Sequence, residues 1–343
     1  FLATVVQTQG STYRKTGARM LIAGSGEIAG MVSGGCLEQD ILCHVQRQTP
    51  PYQPFVITYD TTTEEDLLWG FGIGCEGVVS VLVDHLIDYP HNPLTFIAEC
   101  FDREQSGVLA TIFQVEGSSS VPIGARLMLH SEGKIDSNIE DVELSAQIAA
   151  DAQIALQQKT TIHRQYCLQL GQADVSIEVI QPPPHLTIFG AGRDVLPLAQ
   201  FATALGWQLT IVDCRSLETT ANRFPMVDRI ILARRETIDL QVKINPQTIA
   251  VVMTHNYLDD LEILRSLLAG STRYIGLLGA RQRTAKLLQD LAVTPAQFQR
   301  LHAPIGLDIG AETPEEIAIA IIAEIQAVIT DRPAVCLKQL ASD

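Results

Sequence analysis

No run of apolar residues reaches the roughly 18 needed to cross a bilayer. The nearest candidate, Ile317 to Ile329, is shorter and carries Glu324. No Cys-x-x-Cys pair occurs among the seven cysteines, at 36, 43, 75, 100, 167, 214 and 336. Neither a disulfide framework nor a structural zinc site is therefore indicated. Positive charge is scarce: 24 Lys and Arg stand against 39 Asp and Glu, a formal net charge of −15. That balance argues against nucleic acid as a partner, because a binder needs a basic footprint to release counterions from phosphate. It argues equally against a polybasic membrane anchor. Aromatics make up only 6% of the residues, with two Trp, too few for a base-stacking platform. Phe1-Leu2-Ala3-Thr4-Val5-Val6 lacks the basic n-region of a secretory signal. The abrupt opening on apolar β-formers, without Met, leads us to expect further residues upstream. The cytoplasm is the default compartment.

What is present is a folded chain. Its 343 residues are 46% hydrophobic and only 18% charged, which excludes general disorder and suggests two domains. The boundary falls at Gln181-Pro182-Pro183-Pro184, since three prolines in series can neither continue a helix nor donate to a sheet ladder. We therefore expect an N-terminal domain over 1–181, a proline linker over 182–184 and a C-terminal domain over 185–343.

The first part carries an internal repeat. Ala3-Thr4-Val5-Val6-Gln7-Thr8-Gln9-Gly10-Ser11 recurs as Ala110-Thr111-Ile112-Phe113-Gln114-Val115-Glu116-Gly117-Ser118. Without a gap, Gly17-Ala18-Arg19-Met20-Leu21 then matches Gly124-Ala125-Arg126-Leu127-Met128, and Gly26 and Ile28 match Gly133 and Ile135. Each copy reads as strand, Gly-Ser loop, strand, Gly turn and a further short strand. The two sequences part company afterwards. The first runs into Ser33-Gly34-Gly35-Cys36, the second into a helical stretch from Ile139 to Gln158.

After the prolines the pattern becomes a regular alternation of buried strands and helices. His185–Phe189, Gln208–Val212, Asp228–Leu232, Thr248–Met253 and Thr272–Leu277 read as strands. The fold class is accordingly α/β: a mixed α+β N-terminal domain containing the repeat, then a Rossmann-like doubly wound parallel sheet. Thr294-Pro295-x-Gln297 and Thr313-Pro314-x-Glu316 each predict a helix start with a capping box.

Several constellations could carry chemistry. Gly190-Ala191-Gly192 sits between a first strand and its helix, where glycines let the backbone approach a pyrophosphate. Asp213 ends the second strand, where an acid can hold a ribose hydroxyl. The third fingerprint position is Val195 rather than Gly, so an unused nucleotide site stays open as the alternative. Arg193 and Arg215 stand near enough in sequence to meet an extra phosphate, which leaves the choice between NAD and NADP unread. Gly276-Leu277-Leu278-Gly279-Ala280-Arg281 is a second strand-to-helix turn. Arg281 and Arg283, on the first turn of the next helix, suit a phosphate or pterin-type ligand there, with two solvated arginines as the alternative reading. His255 follows a strand at its carboxyl end and could act as acid or base, oriented by Asp259 or Asp260.

Two cysteines stand inside glycine clusters. Ser33 is placed to cap a helix whose first turn contains Cys36, and the helix dipole would lower the pKa of that thiol. Gly70-Phe71-Gly72-Ile73-Gly74-Cys75-Glu76-Gly77 is a glycine-dense loop entering an apolar strand. Thiolates suit a soft metal centre or a sulfur atom in transit. The other five cysteines read as small buried hydrophobes. The loop Gly10–Arg19 gathers Arg14, Lys15 and Arg19 and could cradle an anion.

Taken together, these segments resemble the XdhC/CoxI family, accessory proteins of xanthine dehydrogenase and related molybdenum hydroxylases. The carrying residues include Val32-Ser33-Gly34-Gly35-Cys36-Leu37-Glu38, Gly72-Ile73-Gly74-Cys75, Thr254-His255-Asn256 and Pro304-Ile305-Gly306-Leu307-Asp308-Ile309-Gly310-Ala311-Glu312-Thr313-Pro314. The resemblance implies a maturation factor rather than a turnover enzyme. Such a factor binds the molybdenum cofactor, supports its sulfuration with a cysteine desulfurase as sulfur source, and inserts it into the hydroxylase. It also implies a homodimer. On this reading Cys36 and Cys75 face the metal or carry sulfur beside Ser33, Gly34, Gly35 and Gly74, with His255 as a further reactive group. Gly190, Gly192, Asp213, Gly279 and Arg281 hold the anionic end of the cofactor, or NAD(P) or another nucleotide. The rivals are an NAD(P)- or flavin-dependent oxidoreductase and a non-catalytic nucleotide-binding scaffold.

Overall fold

The computed structural model describes residues 1–62, 77–86, 91–118, 121–213, 217–242 and 244–339. The chain divides into two compact units, Phe1–Pro182 and Pro183–Asp343.

The first unit is built twice from one plan. Its first half runs β1 (Leu2–Gly10), β2 (Arg19–Ile22), β3 (Ile28–Gly30), α1 (Glu38–Gln46), β4 (Phe55–Asp60) and β5 (Gly77–Asp84). After α2 (Pro93–Asp102) come β6 (Gly107–Gly117), β7 (Arg126–Leu129), β8 (Ile135–Ser137), α3 (Val142–Gln158), β9 (Ile162–Leu168) and β10 (Gly171–Ile180). Each half forms a five-stranded antiparallel sheet, in the orders β3-β2-β1-β5-β4 and β8-β7-β6-β10-β9. The halves therefore diverge less than their sequences suggest: a helix follows the third strand in both, and a hairpin closes both.

The repeat reaches down to local irregularities. Val6 is an extra residue in β1, because Val5 pairs with Val81 and Gln7 with Ser80. Phe113 is the extra residue in β6, between Ile112 and Gln114. These two bulges stand at the offset that aligns Ala3 with Ala110, and Val6, Phe113 and Leu82 pack as one buried cluster. The ion pairs are reciprocal as well. Arg19 on β2 binds Glu178 on β10 through both terminal guanidinium nitrogens, at 2.9 and 2.5 Å. Its counterpart Arg126 on β7 binds Asp84 on β5. Each half thus supplies an arginine to the carboxylate of the other. Arg19 is spent in this pair and does not join Arg14 and Lys15 as an anion-binding cation.

The second unit is a six-stranded parallel sheet in the order β13-β12-β11-β14-β15-β16. The strands are β11 (His185–Phe189), β12 (Gln208–Asp213), β13 (Arg229–Leu232), β14 (Ile249–Val252), β15 (Tyr274–Leu277) and β16 (Leu301–His302). Helices α4 (Val195–Ala204) and α8 (Pro314–Ile329) bury Val195, Leu198, Ile321 and Ile325 against one face. Between them in sequence lie α5 (Leu217–Arg223), α6 (Tyr257–Ala269) and α7 (Arg281–Leu291). The opposite face receives Leu264 and Leu267 of α6 and Leu287 of α7. Both capping boxes form as read, at Thr294 with Gln297 and at Thr313 with Glu316. The strand order reverses between β11 and β14, and it is at such a crossover that open α/β sheets leave a crevice beyond the strand ends. Among the described residues, no helix is long and apolar enough to cross a membrane.

Candidate functional site

In the first unit the site is a short loop held by one hydroxyl and one carboxylate. Ser33 is buried, and its Oγ accepts the amides of Gly35 at 3.1 Å, Cys36 at 3.2 Å and Leu37 at 3.1 Å. The same hydroxyl donates to Glu38 Oε2 at 2.5 Å, and Glu38 Oε1 accepts the amides of Ser33 at 2.8 Å and Val32 at 3.1 Å. Burial pushes the Glu38 carboxyl up, but the Ser33 hydroxyl and these backbone amides outweigh it and hold the group below the usual carboxylate range.

This geometry corrects the expected helix start. Helix α1 begins at Glu38 with Leu37 at its cap position, not at Ser33, so Cys36 precedes the helix instead of lying in its first turn. The cause is local: Gly35 takes a φ of 111°, which no helix accommodates. Ser33 nonetheless does the work of a cap, collecting amides that would otherwise stay unpaired.

Cys36 is half-buried, with its Sγ 3.5 Å from Ser33 Oγ. With Ser33 and Gly34 it lines a pocket of ≈ 30 Å³, whose other walls include Tyr13, Arg14 and Gly77. Sequence reasoning missed Tyr13 and Gly77 as neighbours of Cys36. A Cβ on Gly77 would stand 2.6 Å from the carbonyls of Gln9 and Ser11, so only glycine lets β5 start this close to β1. Beneath the loop, Tyr59 donates to Asp40 on α1 at 2.7 Å, and burial together with that carboxylate pushes the phenol strongly up. Cys75 and Gly74 lie outside the described residues. Among the described residues, no group of three or more His, Cys, Asp or Glu side chains is placed to hold a metal ion.

In the second unit the site sits at the carboxyl ends of β11, β12 and β14. Gly190, Asp213 and Thr254 line one pocket of ≈ 180 Å³, whose walls include the apolar Val212, Ala233, Ile238 and Ile263. Gly190 has a φ of 119°, and a Cβ there would run into the Met253 carbonyl. Asp213 is only 4% exposed and accepts the Thr220 hydroxyl at 2.8 Å. Arg223 donates to the Ala191 carbonyl, tying α5 to the glycine turn. Arg215 lies outside the described residues.

His255 is exposed, at a φ of 59°, and its Nε2 lies 2.8 Å from Asp194 Oδ2. Sequence reasoning missed Asp194, although a carboxylate at that place in a glycine fingerprint is a legible signal. Its other oxygen fills the space a Cβ on Gly192 would need. An anion resting on Gly192 would therefore meet a carboxylate. Asp260, expected as a partner of His255, is committed elsewhere: it accepts Thr254 Oγ1 and Arg283 Nη2, each at 2.5 Å. Burial pushes its carboxyl up against the pull of both donors. This bridge joins the loop after β14 to the start of α7, where Gly279 packs beside Arg283. Arg283 is thereby neutralised, while Arg281 stays exposed at the first position of α7.

The comparisons with known proteins agree with this architecture. The model of the XdhC and CoxI family matches residues 1–60 and 100–166, and that of the XdhC Rossmann domain matches residues 186–325. A Bacillus subtilis protein, named as a probable xanthine dehydrogenase subunit, is 33% identical over 94% of this chain and 91% of its own length. The Escherichia coli protein YqeB is 32% identical over 48% of this chain and 30% of its own. A crystal structure described as a xanthine dehydrogenase from Bacillus halodurans superposes with a TM-score of 0.78 at 30% identity, covering 98% of this chain and 93% of that one. By these matches the chain belongs to the XdhC and CoxI family.

Proposed function

We propose that the protein serves a xanthine dehydrogenase or related molybdenum hydroxylase as a maturation factor. It takes the molybdenum cofactor as cargo, keeps its metal end beside Cys36 while an oxo ligand is exchanged for sulfido, and passes it to the hydroxylase. The association with xanthine dehydrogenase is supported by family membership and by the name of the Bacillus subtilis relative. The observation that carries the finer reading is the Cys36 pocket. A thiol is presented there at a small cavity, on a loop fixed by the Ser33–Glu38 bond, with Arg14 alongside.

The fit can be judged from size and donor chemistry. A cavity of ≈ 30 Å³ holds a single ligand atom or a water beside the thiol, not a pterin ring system. Thiolate is the soft donor that a molybdenum–sulfur centre suits. Cys36 would hold the metal end, Arg14 would meet negative charge at the pocket mouth, and Ser33 would keep the loop closed. Cys75, two residues before Gly77 in sequence, is the second thiol of this proposal. The sulfur source is a cysteine desulfurase, and the active form is a homodimer in the cytoplasm.

A second reading rests on the pocket at Gly190 and Asp213, whose crossover position suits an NAD(P)- or flavin-dependent oxidoreductase or a nucleotide-binding scaffold. One experiment separates the readings. The protein is purified gently from a cofactor-replete host and from a host lacking the cofactor, and oxidised-pterin fluorescence is measured. Near-stoichiometric pterin from the first host alone supports the maturation factor. Absence of pterin with NAD(P) or flavin bound supports the oxidoreductase.

A further inference from the structure

Helix α7 begins without the groups that usually complete a helix start. Ala280 stands at its cap position with no side chain to accept an amide, and no acidic residue lies in its first turn. Arg281 and Arg283 occupy that turn instead, where the positive end of the helix dipole opposes a cation. Helix α8, by contrast, has Thr313 at its cap and Glu315 and Glu316 in its first turn. Uncapped amides and adjacent arginines are both satisfied when an anion rests on them.

Water alone could meet those groups, but a buried hydroxyl beside them could not be met that way. Thr284 is only 3% exposed, and its Oγ1 has no hydrogen-bond partner among the described residues. A threonine within a helix commonly returns its hydroxyl to the carbonyl four residues back. Here that carbonyl, of Ala280, accepts the Thr284 amide at 3.0 Å, and the hydroxyl is turned to Gly279. Oγ1 stands 4.0 Å from the place a Cβ on Gly279 would take. An unbonded buried hydroxyl carries its full desolvation cost, so its presence points to a ligand. Arg283 borders the same space, with Nη1 3.4 Å and Cδ 3.9 Å from that place. Its other terminal nitrogen, Nη2, is held by Asp260 at 2.5 Å, which leaves Nη1 facing the glycine. Asp260 offsets the charge of Arg283, so the net positive charge of the turn comes from the exposed Arg281.

We propose that the turn from Gly279 to Thr284 is an oxyanion site that takes the terminal phosphate of a phosphomonoester. One phosphate oxygen rests beside the Gly279 Cα and accepts the Thr284 hydroxyl and Arg283 Nη1. The partly exposed Arg283 side chain moves aside to admit it. The remaining oxygens accept the first amides of α7 and meet Arg281. The site lies beyond the carboxyl end of β15, and none of its residues lines the pocket at Gly190 and Asp213. The inference therefore rests neither on that pocket nor on the role of Cys36, and its failure leaves the maturation reading untouched.

The test is the melting temperature of the full chain in inorganic phosphate and in chloride at equal ionic strength, for the wild type, Thr284→Val and Arg281→Ala. Phosphate should raise the wild-type melting temperature above its value in chloride. In chloride, Thr284→Val should melt no lower than the wild type, because it removes a hydroxyl that has no partner. Its affinity for phosphate, read from the concentration dependence of the shift, should nonetheless fall about tenfold. Arg281→Ala changes an exposed side chain and should weaken phosphate about threefold without altering the melting in chloride. The same variants identify the source of the phosphate. Pterin retained from a cofactor-replete host falls in Arg281→Ala if the phosphate is the cofactor's, whereas AMP affinity falls and pterin stays if it is a nucleotide's. No stabilisation of the wild type by phosphate, or equal stabilisation of the wild type and Thr284→Val, overturns the proposal. So does a Thr284→Val that melts well below the wild type in chloride, since its hydroxyl would then already be bonded within the protein.

Discussion

Ser33 and Glu38 share a hydrogen bond of 2.5 Å, and through it the Glu38 carboxylate fixes which way the Ser33 hydroxyl points. With its hydrogen on Glu38, the oxygen faces the amides of Gly35, Cys36 and Leu37. The position of the Cys36 thiol therefore depends on a side chain two residues further on. Ser33→Ala should free the loop and raise the alkylation rate of Cys36 several-fold, read site by site by mass spectrometry. The rate at the exposed Cys167 should not change and serves as the internal control. An unchanged Cys36 rate would show that the loop is held by something else.

Asp84 and Glu178 occupy matching positions but differ in surroundings. The Arg126–Asp84 pair is 4% and 7% exposed, the Arg19–Glu178 pair 17% and 14%. Removing one partner of a buried pair strands the other charge and costs about 3–5 kcal/mol. Asp84→Ala should reach that range in denaturant unfolding of the first unit, and Glu178→Ala should cost measurably less. Equal losses would mean that burial does not set the cost.

Gly77 and Gly34 line the same pocket with opposite tolerance. A Cβ on Gly77 would meet two backbone carbonyls at 2.6 Å, which cannot yield without moving β1. On Gly34 it would rest 3.6 Å from the Tyr13 ring, an ordinary contact. Gly77→Ala should destabilise by about 1–3 kcal/mol through overpacking, and Gly34→Ala by less than about 0.5 kcal/mol. Melting temperatures of the two variants, measured side by side, check the contrast.

Glu324 supplies a pH signature. Burial pushes its carboxyl up, but His302, the Tyr274 hydroxyl at 3.0 Å and the Gly306 amide at 2.5 Å hold it below the usual glutamate range. A carboxyl lowered by folding contributes stability above its unfolded pKa, and that contribution is lost as pH falls through the folded value. The acid limb below about pH 4.3 should therefore be steeper in wild type than in Glu324→Gln. The variant should be less stable at pH 7, by about 1–3 kcal/mol, with the gap closing as pH falls. Parallel curves would remove Glu324 from the acid transition.

Much of this fold is legible in the sequence because its signals are local. Thr294 and Thr313 each carry their capping partner three residues on, and both boxes form. The repeat shows itself through Gly17-Ala18-Arg19 and Gly124-Ala125-Arg126, whose turns and ion pairs constrain the residue type. It stays hidden over the closing hairpins, where a strand needs only β-forming side chains and a carboxylate can be Asp84 in one half and Glu178 in the other. The sequence places the helix cap at Ser33 instead of Leu37 because Ser33 does collect amides, while the positive φ of Gly35 that breaks the helix is invisible in a sequence. Proximity along the chain pairs His255 with the acids next to it. Its actual partner Asp194 reaches it only because β11 and β14 are neighbours in the parallel sheet.

The central claim is that the metal end of a molybdenum cofactor rests on Cys36. Its most direct test is the pterin content of Cys36→Ser compared with wild type and with Asp213→Asn, each purified gently from the same cofactor-replete host. The account predicts that pterin falls to a small fraction in Cys36→Ser, with the melting temperature kept, and stays at the wild-type level in Asp213→Asn. Full pterin in Cys36→Ser, or loss of pterin in Asp213→Asn alone, would contradict it.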